Sequence, residues 1–225
     1  MINKFFSTND DYKVMLSHYT KTDGLLAITM YVLLMILYYF MGVILIQKQI
    51  YLGIPVSLLL IVACIILVLM RKQKLASIGI TLINLRKSLV TGTVLGVIFS
   101  FFMNVLPNIL TGGKLISINQ ALYNIFYYFI IISLTEEVIF RGYIQTRIYG
   151  LIKNDRLAVT VTGFLFYTMH LPFQMPVNGM QINLINMIVI VALHFVMNAI
   201  YRKYNSLAGP TVFHGILDWG GNLLR

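Results

Sequence analysis

The sequence predicts an all-α membrane protein, a polytopic bundle of about seven transmembrane helices. Of its 225 residues, 59% are hydrophobic and only 11% are charged, and the mean hydropathy is +0.83. A soluble globular protein is nearer half apolar, with about a quarter of its residues charged. The charged residues are therefore too few to cover a water-facing surface. The apolar residues also run in stretches close to the ~20 residues that a helix needs to cross the hydrocarbon core.

The predicted spans follow these apolar stretches in chain order. They are residues 25–46, 50–70, 89–110, a long helix that begins near residue 121, and residues 157–175, 182–201 and 207–224. The long fourth helix continues through Glu136 and Glu137. Pro210 lies in the first turn of the last span, where its missing N–H is tolerated.

The basic residues predict the orientation of the bundle. With the N-terminus in the cytoplasm, most of them fall on the cytoplasmic side: Lys4, Lys13, Lys21, Arg71, Lys72, Lys74, Arg86, Lys87, Arg141, Arg147, Lys153, Arg156, Arg202 and Lys203. Only Lys48, Lys114 and Arg225 fall outside. This bias is the positive-inside pattern, so we expect a multi-pass protein of the cell membrane with a cytoplasmic N-terminus.

The same observations bound the domains and the partners. Residues 1–24 are predicted to form a cytoplasmic N-terminal segment, and residues 25–225 a single transmembrane domain. The net charge of +10 comes from short basic clusters between the spans, so the lipid bilayer is the expected partner and nucleic acid is not. Cys64 is the only cysteine, which excludes a disulfide within the chain.

Six ionisable residues are predicted to lie in or at the edge of spans: Glu136, Glu137, Asp218, His170, His194 and His214. An ionisable group at membrane depth costs about 2.5–3.5 kcal/mol even on the lenient insertion scale, and such groups usually mark a functional interior. The other acidic residues fall in the N-terminal segment or in loops, where solvent explains them: Asp10, Asp11, Asp23 and Asp155.

Helical spacing divides these groups into pairs. Glu137 and Arg141 are four residues apart and share a face, where they can neutralise each other. Glu136 is rotated by about 100° from Glu137 and is left without that partner. His214 and Asp218 are also four apart. A free carboxylate beside imidazoles in a low-dielectric interior is suited to activating water as a general base.

Structural interpretations compete with these functional ones. Glu137 and Arg141 could form only an internal ion pair that fixes the helix. His194 is predicted to be an interhelical polar contact, and Phe166 to pack in the interior with a possible place beside a substrate path. Gly92 and Gly96 have the GxxxG spacing that favours close packing of membrane helices.

Three short motifs resemble those of a known family. The sequence EEVIFR at residues 136–141 fits EExxxR, FYTMH at residues 166–170 fits FxxxH, and HGILD at residues 214–218 fits the closing HxxxN/D. Their order and spacing are similar to those of the CPBP intramembrane proteases, the CAAX-protease-and-bacteriocin-processing or Abi family. The resemblance covers roughly residue 74 to the C-terminus, with a motif-bearing core at residues 121–225.

The resemblance implies a role for each matching residue. Glu136 matches the glutamate that activates the hydrolytic water, and His170 assists it. Supporting positions are Glu137, Arg141 and Phe166. His214 and Asp218 match the pair that stabilises the oxyanion, although the eukaryotic prenyl-protein proteases carry asparagine at the last position. An ionised aspartate cannot donate a hydrogen bond, so Asp218 has to be protonated or act through His214.

The resemblance leaves the catalytic type open, because the family has been described both as metalloprotease and as glutamate protease. Glu136, His170 and His214, with Asp218, could supply the ligands of a catalytic zinc ion, which needs three protein ligands and one open position. The sequence contains no HExxH motif. We therefore expect water activation without a metal and keep a divalent metal, zinc, as the alternative.

The expected function is that of a CAAX-protease-like intramembrane endopeptidase. Its substrate is expected to be a peptide or a membrane-associated protein, cut in an intramembrane catalytic cavity near the cytoplasmic membrane face. The alternative is a non-enzymatic membrane partner such as a bacteriocin self-immunity protein. A proton-coupled transporter is a weaker third interpretation, because the chain shows no paired inverted halves.

Overall fold

The computed structural model describes residues 7–224, and the regular structure in that part of the chain is helical. Lys4 and Arg225, which enter the predicted orientation, lie outside the described residues. The helices are α1 (Asp10–Ser17), α2 (Lys21–Lys48), α3 (Gly53–Met70), α4 (Leu85–Leu110), α5 (Ile118–Ile152), α6 (Asp155–Thr168), α7 (His170–Asn178), α8 (Leu184–Tyr204) and α9 (Ala208–Gly221). A 3₁₀ turn at Leu75–Ile78 lies in the link between α3 and α4.

Five of the described helices are long and apolar enough to cross a membrane: α2, α3, α4, α5 and α8. Helices α6 and α9 have 14 residues each, or about 21 Å at 1.5 Å per residue, which is shorter than a hydrocarbon core of about 30 Å. The structure therefore confirms the all-helical, multi-pass membrane bundle and does not confirm seven spans. The predicted fifth span divides at Met169 into α6 and α7.

The outer surface of the bundle is apolar, as lipid contact requires. On α3, for example, Leu58, Leu59, Val62, Ile66 and Leu69 are all exposed. A water-soluble monomer rarely exposes a continuous apolar surface of this extent. These helices therefore contact lipid on one side and pack against the protein interior on the other.

Helix α5 occupies the centre, and its middle is enclosed on every side. Residues 135–148 are all buried. Two stretches of this helix, Tyr127–Ser133 and Val138–Ile144, are wound as π-helix. They flank the short α-helical stretch Leu134–Glu137. Local π-helical turns are rare and are found frequently at functional sites.

Small residues let α4 and α9 approach each other closely. A Cβ atom on Gly92 would lie 2.1 Å from the carbonyl oxygen of Gly209, and one on Gly96 would lie 3.1 Å from the Cα atom of Phe213. The close packing predicted from the GxxxG spacing is thus confirmed. It holds α9, which carries His214, against the rest of the bundle.

Buried polar residues connect neighbouring elements at the end of the bundle where α2 begins. Asp23 is only 2% exposed and accepts hydrogen bonds from Arg71 Nε at 2.9 Å and Gln73 Nε2 at 3.1 Å. The interpretation that solvent explains Asp23 is therefore wrong. Its partner Arg71 lies 48 residues further along the chain. Asp155 also has a protein partner, since it pairs with Arg202.

Candidate active site

The predicted site residues converge at the centre of the bundle from three directions. Helix α5 supplies Glu136 and Glu137, and α9 supplies His214. His170 begins α7 directly after α6 ends. The three motifs, which are separated in the sequence, therefore meet on packed helices.

Glu137 is fully buried, and one of its carboxylate oxygens contacts two partners. Its Oε1 lies 3.0 Å from Arg141 Nη1 and 2.9 Å from His214 Nδ1. The predicted pair of Glu137 and Arg141 is confirmed. Because a carboxylate only accepts hydrogen bonds, the contact with His214 places the proton of the imidazole on Nδ1. Glu137 therefore fixes the orientation of that ring.

Arg141 is also fully buried and lies over an aromatic ring. Its Cζ atom is 4.0 Å from the centroid of Phe166, which is cation–π geometry. Within residues 7–224, none of its three guanidinium nitrogens has a partner at hydrogen-bonding geometry, although Nη1 is close to Glu137. The charge of Arg141 is thus balanced by one carboxylate and by the face of one ring.

His214 presents its second nitrogen to two more carboxylates. Nε2 lies 3.4 Å from Asp218 Oδ2 and 3.8 Å from Glu136 Oε2. Both distances exceed the usual 2.7–3.2 Å of an N–H···O hydrogen bond. Nε2 is therefore near both acids and bonded to neither. The i,i+4 placement of His214 and Asp218 on one face is confirmed.

Glu136 borders a cavity of about 130 Å³. Its side chain and that of His170 both line this cavity, together with Tyr38, Met41, Tyr51, Gly53, Ser57, Ile132, Phe173 and Gln174. A water molecule needs about 10–15 Å³ of such volume. The cavity can therefore hold water beside the Glu136 carboxylate.

His170 is held by the last turn of the preceding helix. Its Nδ1 lies 3.0 Å from the carbonyl oxygen of Phe166 and 3.2 Å from that of Tyr167. Carbonyl oxygens only accept, so Nδ1 carries the proton and Nε2 is the acceptor of the neutral ring. The same Phe166 ring lies 5.7 Å from the His170 ring and 6.1 Å from the His214 ring. Phe166 therefore packs against both imidazoles.

This geometry agrees with a comparison against protein families. The family model described as "Rce1-like: Type II CAAX prenyl endopeptidase Rce1-like" matches residues 118–220. The matched residues are thus similar to the Rce1-like proteins of the CPBP family. The match contains the three motifs. No curated protein and no solved structure matches the chain.

The third histidine predicted to lie within a span, His194, lies outside the group around Glu136. Its ring is fully buried, and Nε2 is 3.1 Å from the carbonyl oxygen of Val159 on α6. A Cβ atom on Gly163 would lie 3.0 Å from the ring. His194 therefore joins α8 to α6, as the interhelical contact predicted from the sequence.

The donor set does not form a ready metal site. Among the described residues, no three His, Cys, Asp or Glu side chains lie close enough together to hold a metal ion. The predicted zinc candidates were Glu136, His170 and His214. The Nδ1 atoms of both histidines are bonded to protein oxygens, which leaves Nε2 as the nitrogen that a metal ion would take. The described donors do not form a preformed zinc site, so no step of the chemistry is derived through one.

One relation in the site could not be predicted from the sequence, the bond between Glu137 and His214. The two residues are 77 positions apart, and no local spacing connects them. Glu137 was predicted to support the site through Arg141 alone. The only signal in the sequence was that each belongs to a motif of the same family.

Proposed function

We propose that this protein hydrolyses a peptide bond, with Glu136 as the base that activates water. One observation carries the proposal: the Glu136 carboxylate and His170 line one cavity that is large enough to hold water, beside an imidazole oriented by Glu137. A buried carboxylate with space for water and a neighbouring hydrogen-bond donor is the arrangement that general-base hydrolysis needs.

In the first step, water in the cavity gives a proton to Glu136 as its oxygen attacks the carbonyl carbon of the substrate. The π electrons of the carbonyl group move to its oxygen, which becomes an oxyanion. His170 assists, because its free Nε2 is an acceptor for the second hydrogen of that water. Its Nδ1 stays with the backbone carbonyls of α6.

In the second step, His214 stabilises the oxyanion. A protonated His214 donates from both nitrogens, and Glu137 occupies only Nδ1, so Nε2–H is available to the substrate oxygen. Asp218 acts through His214, which its distance of 3.4 Å from Nε2 supports. The oxyanion then collapses, the C–N bond breaks, and the proton held by Glu136 passes to the leaving amine.

The proposed substrate is a peptide or a membrane-associated protein chain. The site lies in the interior of a bundle whose outer surface faces lipid, so a membrane-resident chain reaches it most directly. The family description names CAAX prenyl endopeptidases. For this chain the proposal is limited to the peptide bond and does not extend to a prenyl group.

The proposed setting is the cell membrane, with the N-terminus in the cytoplasm. Helices α6 and α9 are then two short additional membrane helices in the centre of a seven-helix bundle. Their burial supports this, because Phe166 on α6 and His214 on α9 are 4% and 8% exposed. A helix shorter than the hydrocarbon core is accommodated at a modest cost, for example by local thinning of the bilayer.

The test is cleavage of candidate peptides by the purified protein in detergent. We expect Glu136→Gln to abolish cleavage, since an amide cannot take the proton of water. The matched control is Asp10→Asn, which makes the same chemical change on the exposed α1 and should leave the rate unchanged. Retained cleavage in Glu136→Gln would refute the proposed role.

A chelator arm separates the two catalytic types. Activity that survives chelation supports water activation by Glu136 alone. Activity that is lost on chelation and restored by zinc would favour the metal alternative at Glu136, His170 and His214.

The alternative function, a non-enzymatic membrane partner, finds no support in the structure or in the family match. A peptide cleaved in a Glu136-dependent manner would exclude it as the sole function.

A further inference from the structure

A second cavity lies beside the one that contains Glu136. It has a volume of about 330 Å³ and is bounded by α7, the link after α7 and the start of α8. The two cavities share His170 and Gln174 in their linings. They are therefore neighbouring parts of one recess, with His170 between them.

The recess faces one particular end of the bundle. The Glu136 cavity is lined by Tyr51, from the link between α2 and α3, and by Gly53, the first residue of α3. The second cavity is lined by Gly179 and Asn183, from the link between α7 and α8. Phe173 of α7 packs against the ring of Tyr51, and Arg202 at the end of α8 pairs with Asp155 at the start of α6. Both links therefore lie at the end that also contains Lys48. We name this the outer end.

The opposite end carries nearly all of the positive charge, and we name it the basic end. Its described basic residues are Lys13, Lys21, Arg71, Lys72, Lys74, Arg86, Lys87, Arg147, Lys153, Arg156, Arg202 and Lys203. The outer end holds Lys48 and Lys114 among the described residues. By the positive-inside rule the basic end is cytoplasmic, so the recess opens towards the non-cytoplasmic face.

The lining of the second cavity indicates what it binds. Half of its ten lining residues carry side-chain amides: Gln174, Asn178, Gln181, Asn183 and Asn186. No acidic residue, lysine or arginine lines it. An amide offers both a donor and an acceptor, which is what the N–H and C=O groups of an extended peptide require.

Some of these amides are not engaged within the protein. Asn178 donates to Gln174, and Asn183 caps the start of α8. In the part of the chain that the structure describes, the side chains of Gln181 and Asn186 make no hydrogen bond. They are exposed and available to a bound chain.

We propose that this amide-lined recess is a substrate-binding cleft that admits an uncharged, extended stretch of peptide from the non-cytoplasmic face. Its position beside His170 places the adjoining peptide bond at Glu136. The proposal deepens the proposed protease function and rests on it. It differs from the sequence-based prediction of cleavage near the cytoplasmic face, which the structure does not show.

The first test locates the opening without any need for activity. Single cysteines are introduced at Gln174 in the recess, at Lys48 at the outer end and at Lys74 at the basic end. All three residues are exposed. Intact cells are treated with a membrane-impermeant maleimide, before or after permeabilisation. The unmodified protein is the control, because its only cysteine, Cys64, is buried.

We expect Gln174→Cys and Lys48→Cys to be labelled in intact cells, and Lys74→Cys only after permeabilisation. Labelling of Gln174→Cys together with Lys74→Cys would overturn the proposal. So would a Gln174→Cys protein that stays unlabelled after permeabilisation, since the recess would then be closed. Labelling of Lys74→Cys alone in intact cells would reverse the assigned orientation and overturn it too.

The second test asks whether the amides bind the substrate. With a cleaved peptide in hand, Asn186→Leu should raise KM about two- to tenfold, the factor for one lost neutral hydrogen bond, with kcat retained. Gln120→Leu is the matched control, because Gln120 is an exposed amide at the outer end that lines neither cavity. An unchanged KM in both Asn186→Leu and Gln181→Leu would refute the cleft.

The two tests separate the cleft from the proposed function. If no peptide is cleaved and Glu136→Gln has no effect on any substrate, the protease proposal fails, whereas the labelling pattern still decides where the recess opens. If peptides are cleaved but Gln174→Cys labels with the basic end, the protease stands and the non-cytoplasmic cleft falls.

Discussion

Replacement of Arg141 by methionine measures how much the buried ion pair contributes to stability. Arg141 and Glu137 are both 0% exposed and lie 3.0 Å apart. Methionine fills similar volume and leaves the Glu137 carboxylate with only His214 as partner. Removal of one member of a buried pair costs about 3–5 kcal/mol, because the other charge stays buried. Loss of the cation–π contact with Phe166 adds about 0.5–2 kcal/mol.

The assay is equilibrium unfolding in mixed micelles, followed by the fluorescence of Trp219, the single tryptophan. Arg71→Met is the matched control. The Arg71 side chain is 37% exposed, and its partner Asp23 keeps hydrogen bonds from Thr20 and Gln73. We expect the control to lose about 1 kcal/mol or less. Equal losses in the free energy of unfolding for the two variants would refute the reasoning.

A double variant, Glu137→Leu with Arg141→Met, separates stability from catalysis. It buries no uncompensated charge, so we expect it to recover most of the stability lost in Arg141→Met. It should still fail to cleave peptide, because His214 Nδ1 loses the acceptor that orients the ring. A stable double variant with full activity would show that Glu137 is only an ion-pair partner.

Three further predictions concern the packing and the remaining site residues. Gly92→Ala should lower the free energy of unfolding by about 1–3 kcal/mol through overpacking against Gly209. The control Gly221→Ala should lower it less, because its added Cβ would come no closer than 3.6 Å to another group. Equal losses would contradict the close α4–α9 contact. His194→Gln should lower the free energy of unfolding by about 1–3 kcal/mol and leave kcat of the folded protein unchanged. A lower kcat in a fully folded variant would instead place His194 in the site. Asp218→Asn should reduce kcat less than Glu136→Gln does, and an equal loss would assign Asp218 a direct role.

The sequence predicts the fold well where composition and length decide. Long apolar helices such as α2 and α3 are recognisable because lipid contact demands about 20 apolar residues. The break at Met169 is not recognisable, since the apolar pattern runs on from α6 into α7. The burial of Asp23 also could not be predicted. Its partner Arg71 comes from another element, and only the packed bundle brings the two together.

The candidate site also contains some contacts that the sequence predicts and others that it does not. The pairs at i,i+4, Glu137 with Arg141 and His214 with Asp218, follow from helix geometry and are present in the structure. The contact between Glu137 and His214 depends on how α5 packs against α9. The cavity beside Glu136 depends on the α2–α3 link as well. Such long-range relations have no periodic signature in a single sequence.

The adjacency of the two glutamates has a geometric explanation in His214. Consecutive side chains on a helix diverge by about 100°, so Glu136 and Glu137 approach one imidazole from different sides. Glu137 bonds Nδ1, and Glu136 lies near Nε2 and borders the cavity. A spacing of three or four residues would instead put both carboxylates on one face of the helix. The π-helical stretches on either side of Leu134–Glu137 adjust the register of α5 at this point. The paired glutamates thus let one helix hold the imidazole with one carboxylate and keep the other beside water.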